Sequence, residues 1–485
     1  MDSSCLMSFS DLSRVLGARL FFWEGKQEAE RRTEGFSSVC IDSREALPGT
    51  LFVALRGSAQ DGHRFVDAAF RAGAAGAMVD FSALDDRDLS LYSLAQRWKR
   101  ALVAVEDTLK GLQDAARAYL RQFLSLVRVG ITGSSGKTTT KEIAAAIVGQ
   151  EKQVVMNRGN LNSETGLPLA VFGVKSHHEI GIFEAGMNRR GEIAELAGVL
   201  NPRLALVTNI GSAHIGILGS REAIAEEKKK IFSGFSDGNV ALIPSGDDFR
   251  DFLARDVPGR KVFYGSSSLP ALEGTKDLGL EGTEIVWDGE AVRFGLPGRF
   301  NLENALAATA LALELGVSSS SIRRGLESVK PLFGRGEILP GRATVIRDCY
   351  NSNPESVMAA LDFCDSVKWP GRRIYVMGSM LELGGISAEA HKDLGRRLAS
   401  CGADMVFLFG EEMEDAARAL EARQNSMLRQ NGEPFFYTCD MGELSRALDN
   451  YVKSGDLVLL KGSRGCALEQ LTGILAGDGG HSHVS

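Results

Sequence analysis

Long apolar runs are missing from this chain of 485 residues, so no segment reads as a membrane span. The first residues, MDSSCLMSFSDLSRVLG, carry Asp2 and Asp11 and lack both a basic leader and a long apolar core, so they do not resemble an export signal. A basic excess is missing too: 55 Lys and Arg stand against 62 Asp and Glu, a formal charge of −7. That argues against a nucleic acid or an anionic membrane as partner, because either favours a basic face. The seven cysteines (Cys5, Cys40, Cys349, Cys364, Cys401, Cys439, Cys466) form no CxxC pair and are odd in number. A disulfide frame and a zinc site are thereby disfavoured, reduced thiols fit better, and Cys349 reads as a small buried hydrophobe. The expected location is the cytoplasm. Internal repeats and low-complexity tracts are absent as well.

What is present is ordinary globular composition, 44% hydrophobic and 24% charged, in a chain too long for one core. At the usual domain size three units are expected, over residues 1–107, 108–334 and 335–485. In the first, apolar runs at 51–55 and 77–79 flank a helical stretch at 64–72, an α/β pattern that ends near Glu106. A helix from Thr108 then leads into the second unit, where strands at 181–186 and 203–211 alternate with helical sequence. Such alternation predicts a parallel sheet with its ligands at the C-terminal strand ends. Residues 262–296 read as one glycine-rich, strand-like piece, followed by an alanine-rich helix at 301–315. The third unit predicts strands at 344–347, 372–377, 404–409, 434–437 and 456–460. Its helices are predicted at 354–365, 388–399, 412–421, 442–453 and 467–475, a doubly wound, Rossmann-like domain without a GxGxxG loop. The final GDGGHSHVS reads as a disordered tail. The fold class is therefore α/β in three domains: a small N-terminal α/β unit, a central P-loop parallel sheet and the doubly wound unit.

Residues 129–142, VGITGSSGKTTTKE, are built to hold a triphosphate. An apolar strand runs into Gly133, Ser134, Ser135 and Gly136, and Lys137 and Thr138 open a helix. Small residues let backbone N–H groups turn inward around phosphate oxygens, and the helix N-terminus adds partial positive charge. Lys137 is placed to reach the β- and γ-phosphates, and the Thr138 hydroxyl to ligate Mg²⁺. The nucleotide-contacting set is expected to be Thr132, Gly133, Ser134, Ser135, Gly136, Lys137, Thr138 and Thr139. One departure stands out: the generic pattern has glycine where this chain has Ile131.

Other candidates are weaker alone. Glu184, at a predicted strand end in an apolar run, suits Mg²⁺ coordination better than an isolated buried charge. Asn209 also falls at a strand end. His214, in TNIGSAHIGILGS, serves equally as a site residue or as a structural hydrogen-bonding group. Lys228, in AEEKKKIF, shares a helix with Glu222, Glu226 and Glu227, and spacing alone describes a solvated charge run. Arg335 sits at the junction of the second and third units, where a guanidinium can reach a γ-phosphate as they close. The segment RDCYNSNPES crowds Asp348, Tyr350, Asn351 and Asn353 at a strand end, although Asn-Pro is also an ordinary helix start.

Together with IDSREALPGTLFVALRG (41–57), DGHRFV (61–66), GNLNSETGLPL (159–169), EAGMNRRGEI (184–193), MGSMLELG (377–384) with His391, and LVLLKGSRG (457–465), these segments resemble the Mur ligases of peptidoglycan synthesis. The resemblance covers nearly the whole chain, with the motifs in the family's order. It implies an ATP- and Mg²⁺-dependent ligase that makes an amide bond through an acyl phosphate. The favoured branch joins D-alanyl-D-alanine to UDP-N-acetylmuramoyl-tripeptide and is expected to act as a monomer. It further implies that Asp42, Ser43 and Arg44 hold the UDP end of the substrate, and that Asn162 and Ser163 face metal and substrate. By the same resemblance Glu184 and His214 match metal positions, and Lys228 aligns with a lysine that is carbamylated in relatives and faces a second Mg²⁺. Asn301 and Asn304 match the adenine segment, Asp348, Tyr350 and Arg335 the nucleotide side of the third unit, and Asn351 and Asn353 its substrate side. Lys137, His214, Lys228 and Arg335 are the implied catalytic residues. Two positions depart from the family pattern. Phe300 stands where His is common, which implies an apolar side to the adenine site, and Arg347 replaces the first acid of DDxYN. Three other readings remain in play: the branch that adds the third peptide residue, whose DNPR segment is absent here, a folylpolyglutamate synthase, which lacks the DSR unit, and a P-loop regulatory or motor ATPase.

Overall fold

The computed structural model describes residues 5–57, 60–425 and 435–477. The proposed tail therefore lies outside the described residues, apart from Gly477. The fold is a three-part α/β arrangement in which each part is built on its own sheet.

The N-terminal sheet has five strands, in the order Arg19–Phe21, Ala101–Val105, Gly76–Asp80, Thr50–Val53, Ser38–Cys40. Only the first pair is antiparallel. Its three middle strands are buried at every position, as expected of parallel strands covered on both faces. The predicted helix at 64–72 starts instead as a 3₁₀ turn, Gly62–Phe65, and becomes α-helical at Val66–Ala72. The Asp61 carboxylate sets that turn by accepting from the His63 N–H. The His63 side chain is buried; its Nε2 accepts from the Asp80 N–H at 2.9 Å, so Nδ1 carries the proton and donates to Asp61 at 2.6 Å. Asp80 in turn accepts from the Thr108 N–H, and the Thr108 hydroxyl donates to the Ala54 carbonyl. The DGH segment thus ties the first sheet to the helix Thr108–Leu120 that enters the second.

The central sheet has six parallel strands, in the order Arg260–Tyr264, Val240–Pro244, Leu204–Val207, Val127–Thr132, Ile180–Glu184, Val154–Met156. Strand Val127–Thr132 is flanked by Leu204–Val207 and Ile180–Glu184, so the ends of all three converge where the chain leaves the sheet for the helix Lys137–Val148. Residues 262–296 are not one strand-like piece. They hold the last parallel strand and a separate antiparallel sheet, Leu272–Asp277, Thr283–Trp287 and Glu290–Phe294. Asp288 and Gly289 both take positive φ, the geometry of an Asp-Gly hairpin turn. Ile285, Trp287 and Phe294 from this sheet pack with the helices Lys137–Val148 and Arg299–Glu314.

The C-terminal sheet runs Glu337–Leu339, Thr344–Asp348, Leu457–Lys461, Arg373–Gly378, Met405–Phe409, Phe435–Thr438. Its five predicted strands are present and parallel, and an unforeseen antiparallel edge strand, Glu337–Leu339, is added. Arg347, in place of an acid, is buried: it forks onto Glu337 of that edge strand at 2.6 and 3.0 Å and stacks on Phe333. The predicted helix at 467–475 is broken. Ala467 takes a left-handed φ of 50°, which separates the 3₁₀ turns Arg464–Cys466 and Leu468–Leu471, and only Thr472–Ala476 is α-helical. All seven cysteines are free. Among the described residues, no helix is long and apolar enough to cross a membrane.

The His63 network yields a direct expectation. His63→Ala orphans the buried Asp80 N–H, at a cost of about 1–3 kcal/mol. Native-state hydrogen exchange should show lost protection at Asp80 and Thr108, and unchanged protection would contradict a linking role.

Candidate active site

The phosphate loop is shaped by what stands beside it. Thr132 ends the strand with its hydroxyl on the Ala185 carbonyl at 2.9 Å. A Cβ on Gly133, whose φ is 152°, would lie 1.8 Å from Thr208 Oγ1, and one on Gly136, at φ 75°, would lie 2.1 Å from Asn304 Oδ1. Both glycines are therefore required by close approach as well as by conformation. Ile131, by contrast, is a buried strand residue packed with Val129 and Ile143, a place where side-chain volume is needed.

The other wall of the loop is the segment after strand Leu204–Val207. Ser134 N–H donates to the Asn209 carbonyl at 3.0 Å, and the Ser135 N–H and hydroxyl both donate to Asn209 Oδ1. Thr208 Oγ1 and Asn209 Nδ2 return hydrogen bonds to the Ser135 carbonyl at 2.6 and 3.2 Å. Gly211 N–H donates to Ser134 Oγ at 2.9 Å.

Two lysines converge on one oxygen. Lys137 Nζ and Lys228 Nζ each donate to the Gly133 carbonyl at 2.9 Å. Lys228 is 1% exposed, so the charge-run reading is overturned at this position: Glu222 and Glu226 face solvent, whereas Glu227 and Lys228 point inward. Glu227 is occupied structurally, accepting from the Gly191 and Ile193 N–H groups. Burial, reinforced by the charge on Lys137, holds the Lys228 amine well below the ordinary lysine range. The Lys137 amine is also lowered by burial, with Glu184 opposing and Arg335 adding to the effect.

Glu184 is buried at the end of its strand, and its carboxylate accepts from the Thr138 hydroxyl at 2.8 Å and from Asn162 Nδ2 at 2.6 Å. Its backbone is bracketed by Asn157, whose Oδ1 accepts from the Glu184 N–H and whose Nδ2 donates to the Glu184 carbonyl. The buried Lys141 amine fixes Asn157 through its carbonyl. Ser163 stays within its own turn, near the Thr165 hydroxyl and accepting from the Gly166 N–H. His214 takes a left-handed φ of 66°, and its buried Nδ1 lies 3.3 Å from Glu382 Oε2 without forming a hydrogen bond. Burial, then the charges of Lys137 and Lys228, depress its pKa to about 3, so the ring is neutral and keeps a lone pair for a ligand.

The third sheet presents its own groups to this edge. Arg335 follows the left-handed Gly334 and stacks 4.2 Å over Tyr350. The buried Lys461 amine lies 3.1 Å from Asp348 and donates to the Asn351 carbonyl at 2.7 Å. The Asn351 side chain accepts from the Ser352 N–H, and Asn353 caps the helix Pro354–Ser366 in a reciprocal box with Ser356. Asn301 donates to the Pro297 carbonyl, while Asn304 Oδ1 accepts from the Thr140 hydroxyl against the loop; Thr139 is buried. Phe300 lines a narrow cleft between the units with Pro297, Ile346, Ala360, Phe363 and Asp348. Ser43 and Arg44 stand apart, on a 3₁₀ turn of the N-terminal sheet, with Arg44 forked onto Asp42. Thr208, Asn157, Lys141 and Lys461 carry no sequence signal, because their partners are distant and their local patterns ordinary.

Three domain models match the chain: the Mur ligase family catalytic domain over residues 36–120, the Mur ligase middle domain over 131–312, and the Mur ligase glutamate ligase domain over 334–464. The chain is similar to the UDP-N-acetylmuramoyl-tripeptide–D-alanyl-D-alanine ligase of Treponema pallidum, at 41% identity over 97% of this chain and 99% of that protein. Among solved structures it is similar to MurF from Acinetobacter baumannii, with a TM-score of 0.82, 28% identity and coverage of 96% and 98%. It also resembles the MurF ligase of Thermotoga maritima in complex with ADP, with a TM-score of 0.74, 29% identity and coverage of 90% and 96%.

The close approach at Gly133 predicts that Gly133→Ala, which drives a methyl into Thr208, weakens binding of a fluorescent ATP analogue by about tenfold or more. Unchanged affinity would contradict the loop geometry.

Proposed function

The chain belongs to the Mur ligase family, and we propose that it joins D-alanyl-D-alanine to UDP-N-acetylmuramoyl-tripeptide, giving UDP-N-acetylmuramoyl-pentapeptide for peptidoglycan. It is an ATP-dependent amide-bond ligase. The observation that carries the reading is the convergence of Lys137, Lys228, Thr138 and Glu184 on one phosphate loop, in a chain that matches ligases of this name along its length. We assign residues 1–107 to the UDP end of the substrate through Ser43 and Arg44, 108–334 to ATP, and 335–485 to the incoming dipeptide through Asn351 and Asn353. Adenine lies by Asn301 and Asn304 with the apolar cleft at Phe300 on one side, and Arg335, Asp348 and Tyr350 close over the nucleotide. The chain works as a monomer in the cytoplasm, where its UDP-linked substrate is made.

A carboxylate is a poor electrophile at neutral pH, so the reaction takes two steps. A carboxylate oxygen of the tripeptide attacks the γ-phosphorus of ATP, the bond to the bridging oxygen breaks, and ADP leaves. Lys137 and Arg335 offset charge on the transferred group. The amine of the dipeptide attacks the acyl carbon, loses a proton, and phosphate departs carrying the former carboxylate oxygen. Asn162 and Ser163 orient the tripeptide end, and closure of the third unit holds the amine near and keeps water away.

The residues present fit Mg²⁺. The Thr138 hydroxyl and Glu184 carboxylate are hard oxygen donors 2.8 Å apart, and Mg²⁺ takes few protein ligands, completing its shell with phosphate and water. His214, with its unpartnered Nδ1, is a third candidate ligand. When bound, Mg²⁺ would offset the negative charge of the phosphates. The Lys228 amine suits a metal only after modification: its depressed pKa favours a neutral nitrogen that attacks CO₂ and loses a proton, leaving a carbamate with carboxylate oxygens.

Two experiments test this. Phosphate release should require both UDP-N-acetylmuramoyl-tripeptide and D-alanyl-D-alanine, at one phosphate per amide bond; full ATPase activity without them would overturn the ligase reading. Lys228→Ala should lose about a hundredfold or more in kcat and recover in part with added formate or acetate. Full activity without them would make Lys228 structural.

A further inference from the structure

One contact across the second and third units has no part in the reaction steps above. Glu355 lies in the first turn of helix Pro354–Ser366, where Pro354 and the Asn353–Ser356 box fix its backbone. Its carboxylate reaches out of its own unit and accepts from both the N–H and the hydroxyl of Ser212, each at 2.8 Å. Ser212 follows Gly211, whose N–H holds Ser134 Oγ of the phosphate loop. The fit is close: a Cβ on Gly211 would lie 3.0 Å from the Glu355 carboxyl carbon. A second contact flanks it. A Cβ on Gly216 would lie 2.6 Å from the Gly384 nitrogen and 2.7 Å from the Glu382 carbonyl, so two backbones meet there without side chains between them. The Met380–Gly384 loop that makes this contact is itself held by His391 Nε2 on the Met380 N–H and by Ser463 Oγ on the Leu381 N–H.

We propose that Glu355 is a positioning residue, a latch by which the closed third unit fixes Ser212 and, through Gly211, the Ser134 side of the phosphate loop. The inference rests on the ligase reading above. A carboxylate receiving two donors from one residue is a strong, directional contact, and it can form only with the second and third units in contact. It therefore acts on the steps that need closure: phosphoryl transfer with correct geometry, and capture of the acyl phosphate by amine before water.

The test uses the full chain with both substrates, and wild type is assayed first. A wild type that forms no amide bond would sink the ligase reading itself. With an active wild type, Glu355→Ala should lower kcat about tenfold and raise phosphate released per amide bond above one. Ser212→Ala, which deletes only the hydroxyl donor, should show a smaller change of the same kind, and Glu355→Gln, which retains an acceptor oxygen, should recover part of the loss. The Glu355→Ala and Ser212→Ala losses should also be less than additive in the double variant. If Glu355→Ala fails to fold, the Ser212→Ala coupling ratio decides. Wild-type kcat and coupling in these variants, or full additivity, would each overturn the latch.

Discussion

The Gly133 carbonyl oxygen accepts from two lysine side-chain nitrogens at once, and much of the site follows from that. Bringing Lys137 and Lys228 together out of water is unfavourable unless negative charge is close. Glu184 supplies one such charge, but its oxygens are already shared with Thr138 and Asn162. The remaining positive field faces the loop's open side, where Arg335 also contributes. A triphosphate carries the negative charge that such a field calls for.

The folds of the three units serve this arrangement. Parallel pairing puts Thr132, Glu184 and Val207 at one sheet edge, so loop, carboxylate and the Thr208–Ser212 wall meet without long excursions. Glycines at 133 and 136 let that wall and Asn304 approach the loop backbone. The third unit reaches the same edge from its own strand ends, with Arg335 stacked on Tyr350, and Lys461 steadying Asp348 and Asn351. The N-terminal unit is tied in through His63, Asp80 and Thr108 rather than through the site itself.

What was legible in the sequence was what local pattern encodes. The TGSSGKTT loop needs small residues in a row, and buried parallel strands need continuous apolar runs, so the loop, the strands and the three-unit order were readable. Spacing alone did not mark Lys228, because its neighbours make a charge run and only tertiary packing turns one side of that helix inward; the family resemblance did. The Asn-Pro pair made the Asn353 cap readable, and its reciprocal hydrogen bonding with Ser356 forms that cap. The hairpin at Asp288–Gly289 carries an Asp-Gly signal that the surrounding glycine-rich stretch masks. Arg347 looked like a lost acid, yet Glu337 on an unforeseen edge strand gives it a buried partner. Glu355 carried no sequence signal, since its partner is 143 residues away.

The central claim is that the phosphate loop serves to make an acyl phosphate. Its most direct measurement follows ¹⁸O placed in the terminal carboxylate of the UDP-linked tripeptide through one complete ligation with D-alanyl-D-alanine. An acyl phosphate requires that one labelled oxygen per turnover leave in inorganic phosphate, with the other retained in the new amide carbonyl. Phosphate that carries no label, with oxygen drawn from water instead, would contradict the account.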